Sequence, residues 1–263
     1  MSNIHTTAVI EEGAVIGNNV TIGPFVTISS QTVIGDDTVI DAHTVIAGKT
    51  TIGKGNHIFS HAVVGSIPQD LKFNGEDVEL IIGDHNKIRE FTLINPGTEG
   101  GGGVTQIGNN NLLMGYVHLG HDVIMGDNCI LANAATLAGH VILGNNVVVG
   151  GLTPVHQFVK IGDFAMIAGA SALSQDVPPF CLAEGNRATL RGLNLTGLRR
   201  QIERDEINAL KVAYKELFER GEALQASAER LLDSTESDNV KKLVKFIMES
   251  KRGIPFKRKN DNG

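Results

Sequence analysis

The stretch "GYVHLGHD" (Gly115 to Asp122) places His118, His121 and Asp122 in a run otherwise dominated by aliphatic and glycine residues. His140 and His156 follow downstream. An imidazole beside a carboxylate is the pairing that makes a general base, because the carboxylate orients the ring and stabilises the imidazolium. Several imidazoles converging on one point could instead ligate zinc, for which three protein ligands and an open position are usual in a catalytic site. Which chemistry applies depends on where these side chains point, and that is set by the elements carrying them.

Those elements follow a period of six. Isoleucine occupies positions 10, 16, 22, 28, 34, 40, 46, 52 and 58, and Val64 continues the series. Ile82, Ile88 and Ile94 resume it, and Ile107, Leu113, Leu119 and Met125 lead a last run that ends at Leu173. Neither a helix nor a simple alternating strand has this period. Short strands joined by tight corners do, with one aliphatic per segment pointing inward. Glycine and asparagine at the corners ("IGNN", "LGNN") suit positive φ. Three segments close a coil, and stacked coils form a parallel β-helix with backbones about 4.8 Å apart. Positions 119, 137 and 155 then share one corner, so His118, His121, His140 and His156 gather along one outer edge.

Two interruptions, within 66–80 and 95–105, read as loops projecting from the column, where function concentrates. "SQDVPPF" ends the repeat, since proline cannot donate to a strand ladder. Beyond it the period turns helical. Ile207, Leu210, Tyr214, Leu217 and Phe218 form one apolar face, and Val240, Leu243, Val244, Ile247 and Met248 another. The expected organisation is a mainly β protein, with a β-helix over residues 1–180 and a small α-helical C-terminal domain over 181–263. "KRGIPFKRKNDNG" reads as a frayed tail.

The net charge of -6 is uneven: residues 178–263 carry 17 Lys+Arg against 13 Asp+Glu, and residues 1–177 carry 6 against 16. An acidic body with a basic end argues against nucleic acid as partner and leaves room for an acidic one. No run is long and apolar enough for an integral membrane segment, and no secretory signal is visible. Two isolated cysteines fit a reduced, cytoplasmic setting. On residues alone, an enzyme using a histidine base, a zinc hydratase of the carbonic anhydrase type and a non-enzymatic scaffold all remain open.

The repeat resembles the hexapeptide transferase signature. "QDLK" (Gln69 to Lys72), "HLGHD", "ILANAATLAGHV", "GGLTPVHQF", "SQDVPPF" and "EGNRATLRGLN" further resemble the UDP-N-acetylglucosamine O-acyltransferase family. That resemblance implies a left-handed β-helix, a homotrimer with sites between neighbouring columns, and the first step of lipid A biosynthesis. The partners it implies are a UDP-sugar and an acyl carrier protein bearing an (R)-3-hydroxyacyl chain, with no cofactor and no metal. By the same resemblance His121 is the base for the sugar 3-hydroxyl, Asp122 supports it, and the Gly139 N–H holds the oxyanion. Gln69, Asp70, Lys72, His118, His140, His156, Gln157, Asn194 and Arg200 would bind substrate, while Met166 and Gly169 would set acyl length. Arg199, Arg204 and Lys211 are candidates for docking the carrier. The chain departs from the family pattern at Asn95–Pro96, Thr196 and Gln201, which leaves open a 3-amino analogue of the sugar.

Overall fold

A computed structural model describes residues 2–256 of the chain. The column is a parallel β-helix. Asn3 pairs with Thr21, Val9 with Thr27 and Val15 with Val33, so an uninterrupted coil takes 18 residues. Successive coils build three sheets, of 11, 8 and 8 strands when the terminal hairpin is counted with the first, most of them two residues long. The insertions leave the stacking intact: Ile58 pairs with Ile88, and Ile94 with Leu119.

Every aliphatic of the six-residue series is buried except Ile10 and Ile16, which lie in the first coil and are partly exposed. Each buried side chain contributes about 1.5–3 kcal/mol. The expectation of one inward residue per segment is corrected here. The residue two positions earlier also faces the interior, as at Val20, Val26, Thr32, Asn56, Ala62 and Cys129. Alternation within a short strand requires it. Where this second position is asparagine it satisfies backbone groups of the next coil. Asn56 Oδ1 accepts from Asn86 N (2.8 Å), Asn86 Oδ1 from Asn111 N (2.9 Å), and Asn111 Oδ1 from Cys129 N (2.7 Å).

The corners hold non-glycine residues in the left-handed region, among them Asp122 (φ 59°), His140 (φ 62°) and Phe158 (φ 65°). These three occupy one corner of successive coils, so their side chains leave the column along one edge.

Above the last coil the chain adds a hairpin absent from the sequence expectations. Cys181–Glu184 pairs in parallel with the strand Met166–Ile167, and Thr189–Leu193 returns antiparallel to it. Helices follow as α1 (Leu195–Leu198), α2 (Arg204–Phe218), α3 (Leu224–Ser234) and α4 (Asp238–Glu249). The faces expected for α2 and α4 are buried at Ile207, Leu210, Leu217, Phe218, Val240, Leu243, Val244 and Ile247. Helix α3 was not anticipated, because its packed face is only Ser227, Ala228 and Leu231. The expectation of a frayed tail fails for residues 251–256. Gly253 O accepts from Asp176 N (3.0 Å), Pro255 O from Leu190 N (2.6 Å), and Ile254 is buried. The rest of that tail lies outside the described residues.

Candidate active site

The corner bearing Asp122, His140 and Phe158 builds the site. Asp122 is 4% exposed. His121 Nδ1 lies 2.7 Å from Asp122 Oδ2. An ionised carboxylate only accepts hydrogen bonds, so Nδ1 carries the ring proton and Nε2 is left as a lone-pair acceptor. No group among the described residues hydrogen-bonds Nε2. Asp122 is held from its other side by the 95–105 loop: Thr98 N donates to Oδ1 (2.9 Å) and Thr98 Oγ1 to Oδ2 (2.6 Å). Asp122 N donates to Thr105 Oγ1 (2.8 Å).

Gly139 lies against the free edge of the imidazole. A Cβ there would stand 2.6 Å from His121 Nε2 and 2.5 Å from Cε1, so only glycine fits. The Gly139 N–H has no acceptor among the described residues. A donor beside a base is the arrangement that stabilises an oxyanion formed by the base's own reaction.

His140 is perpendicular to His121 with ring centroids 4.9 Å apart, and its other neighbour, Phe158, stacks on it at 4.4 Å. Burial pushes the His140 pKa down, with the nearby Asp122 carboxylate opposing. Burial also pushes His118 down, and its Nδ1 is a buried atom without a partner among the described residues. Both rings therefore favour the neutral form. His156 does not join this cluster. Its Nδ1 is 3.3 Å from an Arg252 guanidinium nitrogen and 3.1 Å from Gln157 O.

Zinc chemistry fits these groups less well. Ligand atoms of His121, Asp122 and His140 lie within 4.8 Å of one another. The Asp122 oxygens, however, already take three hydrogen bonds from Thr98 and His121. A metal on this carboxylate would have to displace a donor.

Comparison with known proteins decides the family. Residues 176–255 match the domain described as Udp N-acetylglucosamine O-acyltransferase, Domain 2, and residues 105–139 match the bacterial transferase hexapeptide (six repeats). The acyl-[acyl-carrier-protein]–UDP-N-acetylglucosamine O-acyltransferase of Sulfurovum sp. (strain NBC37-1) is 71% identical over 260 residues, covering 99% of this chain and 100% of that one. The chain belongs to the UDP-N-acetylglucosamine O-acyltransferase family. The solved UDP-N-acetylglucosamine acyltransferase from Campylobacter jejuni superposes with a TM-score of 0.94 at 52% identity, covering 97% of this chain and 100% of that chain. The corresponding Bacteroides fragilis structure superposes at 0.92 with 40% identity, covering 95% and 99%.

The remaining residues expected to serve this acyltransferase fall into three groups. Asp70 and Lys72, from the 66–80 loop, line a cleft of about 510 Å³ with Thr98, Glu99, His140 and Phe158. Asp70 Oδ1 accepts from Lys72 N (3.0 Å), which shapes the loop, while Gln69 and Gln157 are exposed. Asn194 and Arg200 are not brought to this cleft within one chain. Asn194 caps α1, its Oδ1 accepting from Gly197 N (3.1 Å) and its Nδ2 donating to Phe164 O (3.0 Å). Arg200 lines a separate depression of about 730 Å³ with Arg199, Arg204 and Lys211. Met166 lies in the strand Met166–Ile167, and Gly169 follows on the exposed surface. A Cβ at Gly169 would make only ordinary contact, 3.4 Å from Gly151 O.

Sequence reasoning missed Thr98, Thr105 and the contact of Arg252 with His156. Thr98 sits within a loop whose length alone signalled a role, and Thr105 in the strand that ends it. Arg252 and His156 are 96 residues apart, and nothing in the sequence pairs them.

Proposed function

We propose that this acyltransferase moves an (R)-3-hydroxyacyl group from acyl carrier protein to the 3-position of a UDP-N-acetylglucosamine-type sugar, the first step of lipid A biosynthesis. The observation carrying this reading is the His121–Asp122 pair at 2.7 Å with the Gly139 backbone packed against the free edge of the imidazole. Nε2 removes the proton from the sugar 3-hydroxyl as its oxygen attacks the thioester carbonyl. The negative charge then resting on the carbonyl oxygen is held by Gly139 N–H. Collapse breaks the carbon–sulfur bond, and the carrier thiolate leaves with the proton returned from His121.

His118 and His140, favouring the neutral form, act as hydrogen-bonding groups to the sugar rather than as cations. Asp70 accepts from the sugar, Lys72 meets diphosphate charge, and Gln69, His156 and Gln157 line the approach. Asn194 and Arg200 serve the nucleotide from a neighbouring protomer, which calls for a homotrimer. Arg199, Arg204 and Lys211 steer the acidic carrier. Met166 and Gly169 bound the acyl channel. The column over residues 1–180 thus holds the chemistry and the sugar contacts, and residues 181–263 hold the nucleotide and carrier contacts. No described helix is long and apolar enough to cross a membrane, and both partners point to a cytoplasmic setting.

The test is to incubate the protein with UDP-N-acetylglucosamine, its 3-amino analogue and a series of 3-hydroxyacyl carrier thioesters, then weigh the products. An ester or amide adduct of one acyl unit is expected. No adduct from any pair, with a trimer verified by light scattering, overturns the reading.

A further inference from the structure

The 95–105 loop closes around one side chain. Thr98 N and Thr98 Oγ1 both donate to the Asp122 carboxylate, at 2.9 and 2.6 Å, and Thr105 Oγ1 accepts from Asp122 N at 2.8 Å. Gly101 completes the enclosure. A Cβ on it would lie 2.0 Å from Asp122 Cγ and 2.2 Å from both carboxylate oxygens, so its backbone rests directly on the carboxyl group. Thr98 itself is 7% exposed. The loop thus spends its two threonines and its closest glycine on a single carboxylate.

We infer that Thr98 is a positioning residue that acts on His121 through Asp122, with Gly101 as the wall that holds the pair together. This rests on the reading of His121 as base. Oδ2 receives both the Thr98 hydroxyl and His121 Nδ1–H, so the two donors share one oxygen. The Thr98 contacts fix the carboxylate plane, and the plane fixes the imidazole rotation that presents Nε2 beside Gly139. They also draw off part of the negative charge that the His121 ring faces. The charged and titratable groups facing the pair are His118 and His140, with Asp70 acting on His140.

Thr98→Val keeps the shape and removes the hydroxyl, and Thr98→Ser restores it without the methyl. For Thr98→Val we expect kcat to fall about tenfold with KM nearly unchanged. The acidic limb of its kcat/KM profile moves to higher pH by about half a unit, because the carboxylate left with one fewer donor holds the imidazolium more tightly. Thr98→Ser recovers both. An unmoved limb with kcat within twofold of the parent, a loss confined to KM, or failure of Thr98→Ser to recover would each overturn the inference. Gly101→Ala attacks the carboxylate from the other side and serves if Thr98→Val does not fold. It should lower kcat with KM retained, and unchanged kcat would count against the clamp. His121→Ala is assayed in parallel. If it turns over normally, the base reading has failed, and the clamp is then decided by the NMR titration of the His121 ring. A midpoint displaced upward in Thr98→Val supports it, and coincident midpoints end it.

Discussion

Replacing Asp122 by asparagine tests the logic of the site through one oxygen-to-nitrogen exchange. The Thr98 N–H lies 2.9 Å from Oδ1 and, being a donor only, requires an acceptor there. The asparagine must therefore place its oxygen toward Thr98 N and its NH₂ where Oδ2 stood, 2.7 Å from His121 Nδ1. The Thr98 hydroxyl adapts by turning to accept. His121 adapts only by giving up its Nδ1 proton, which puts the proton on Nε2 and removes the base from the side facing Gly139. The alternative amide rotamer restores Nδ1–H but sets two donors against each other at Thr98, leaving a buried unpaired group worth about 1–3 kcal/mol. Either way the reactive tautomer is disfavoured, and an imidazolium would lose its counter-charge as well. Turnover should fall by ~10²–10⁴, the range of general-base catalysis. Shape and most hydrogen bonds persist, so stability should change by only about 1 kcal/mol. The assay is product formation by mass spectrometry at saturating substrates, alongside a denaturant melt. Turnover within threefold of the parent, in a folded protein, would refute the tautomer argument.

Three further outcomes follow from the geometry. Gly139→Ala puts a methyl 2.6 Å from His121 Nε2, so turnover should drop by ~10²–10³ while sugar nucleotide binding, read by calorimetry, is retained. Gly169→Met has room to fold, since its Cβ makes only ordinary contact, and in competition among carrier thioesters it should shift preference to shorter chains. Burial lowers the His118 and His140 pKa values below 6.5. The unfolded chain therefore binds more protons in the window below pH 6.5, and stability is full above it and declines as pH falls toward the depressed folded values. The denaturant midpoint should fall less between pH 7.5 and 5.5 in His140→Gln than in the parent, and equal slopes would contradict the assignment.

The column was legible because one position in six cannot be anything but apolar. Ile22, Ile40 and Ile58 announce themselves without reference to any neighbour. The second inward position was not legible, because Thr32, Asn56, Ala62 and Cys129 share no hydropathy and are united only by fitting between coils. The histidine edge followed from phase alone for His118, His121 and His140. Phase gave the coil of His156 but not the direction of its ring, which Arg252 shares across a contact between distant segments. Helix α3 was hidden by its weakly apolar face, and the 181–193 hairpin because pairing onto a sheet end leaves no local period. The Thr98–Asp122 contact spans 24 residues across a register change, beyond anything spacing could reveal.

Everything proposed for this site depends on His121 Nε2 taking the proton from the acceptor sugar. Turnover of His121→Ala, measured with a carrier thioester and UDP-N-acetylglucosamine while nucleotide binding is followed separately, tests it most directly. A fall of ~10²–10⁴ with binding intact is predicted. Turnover equal to the parent's would contradict it.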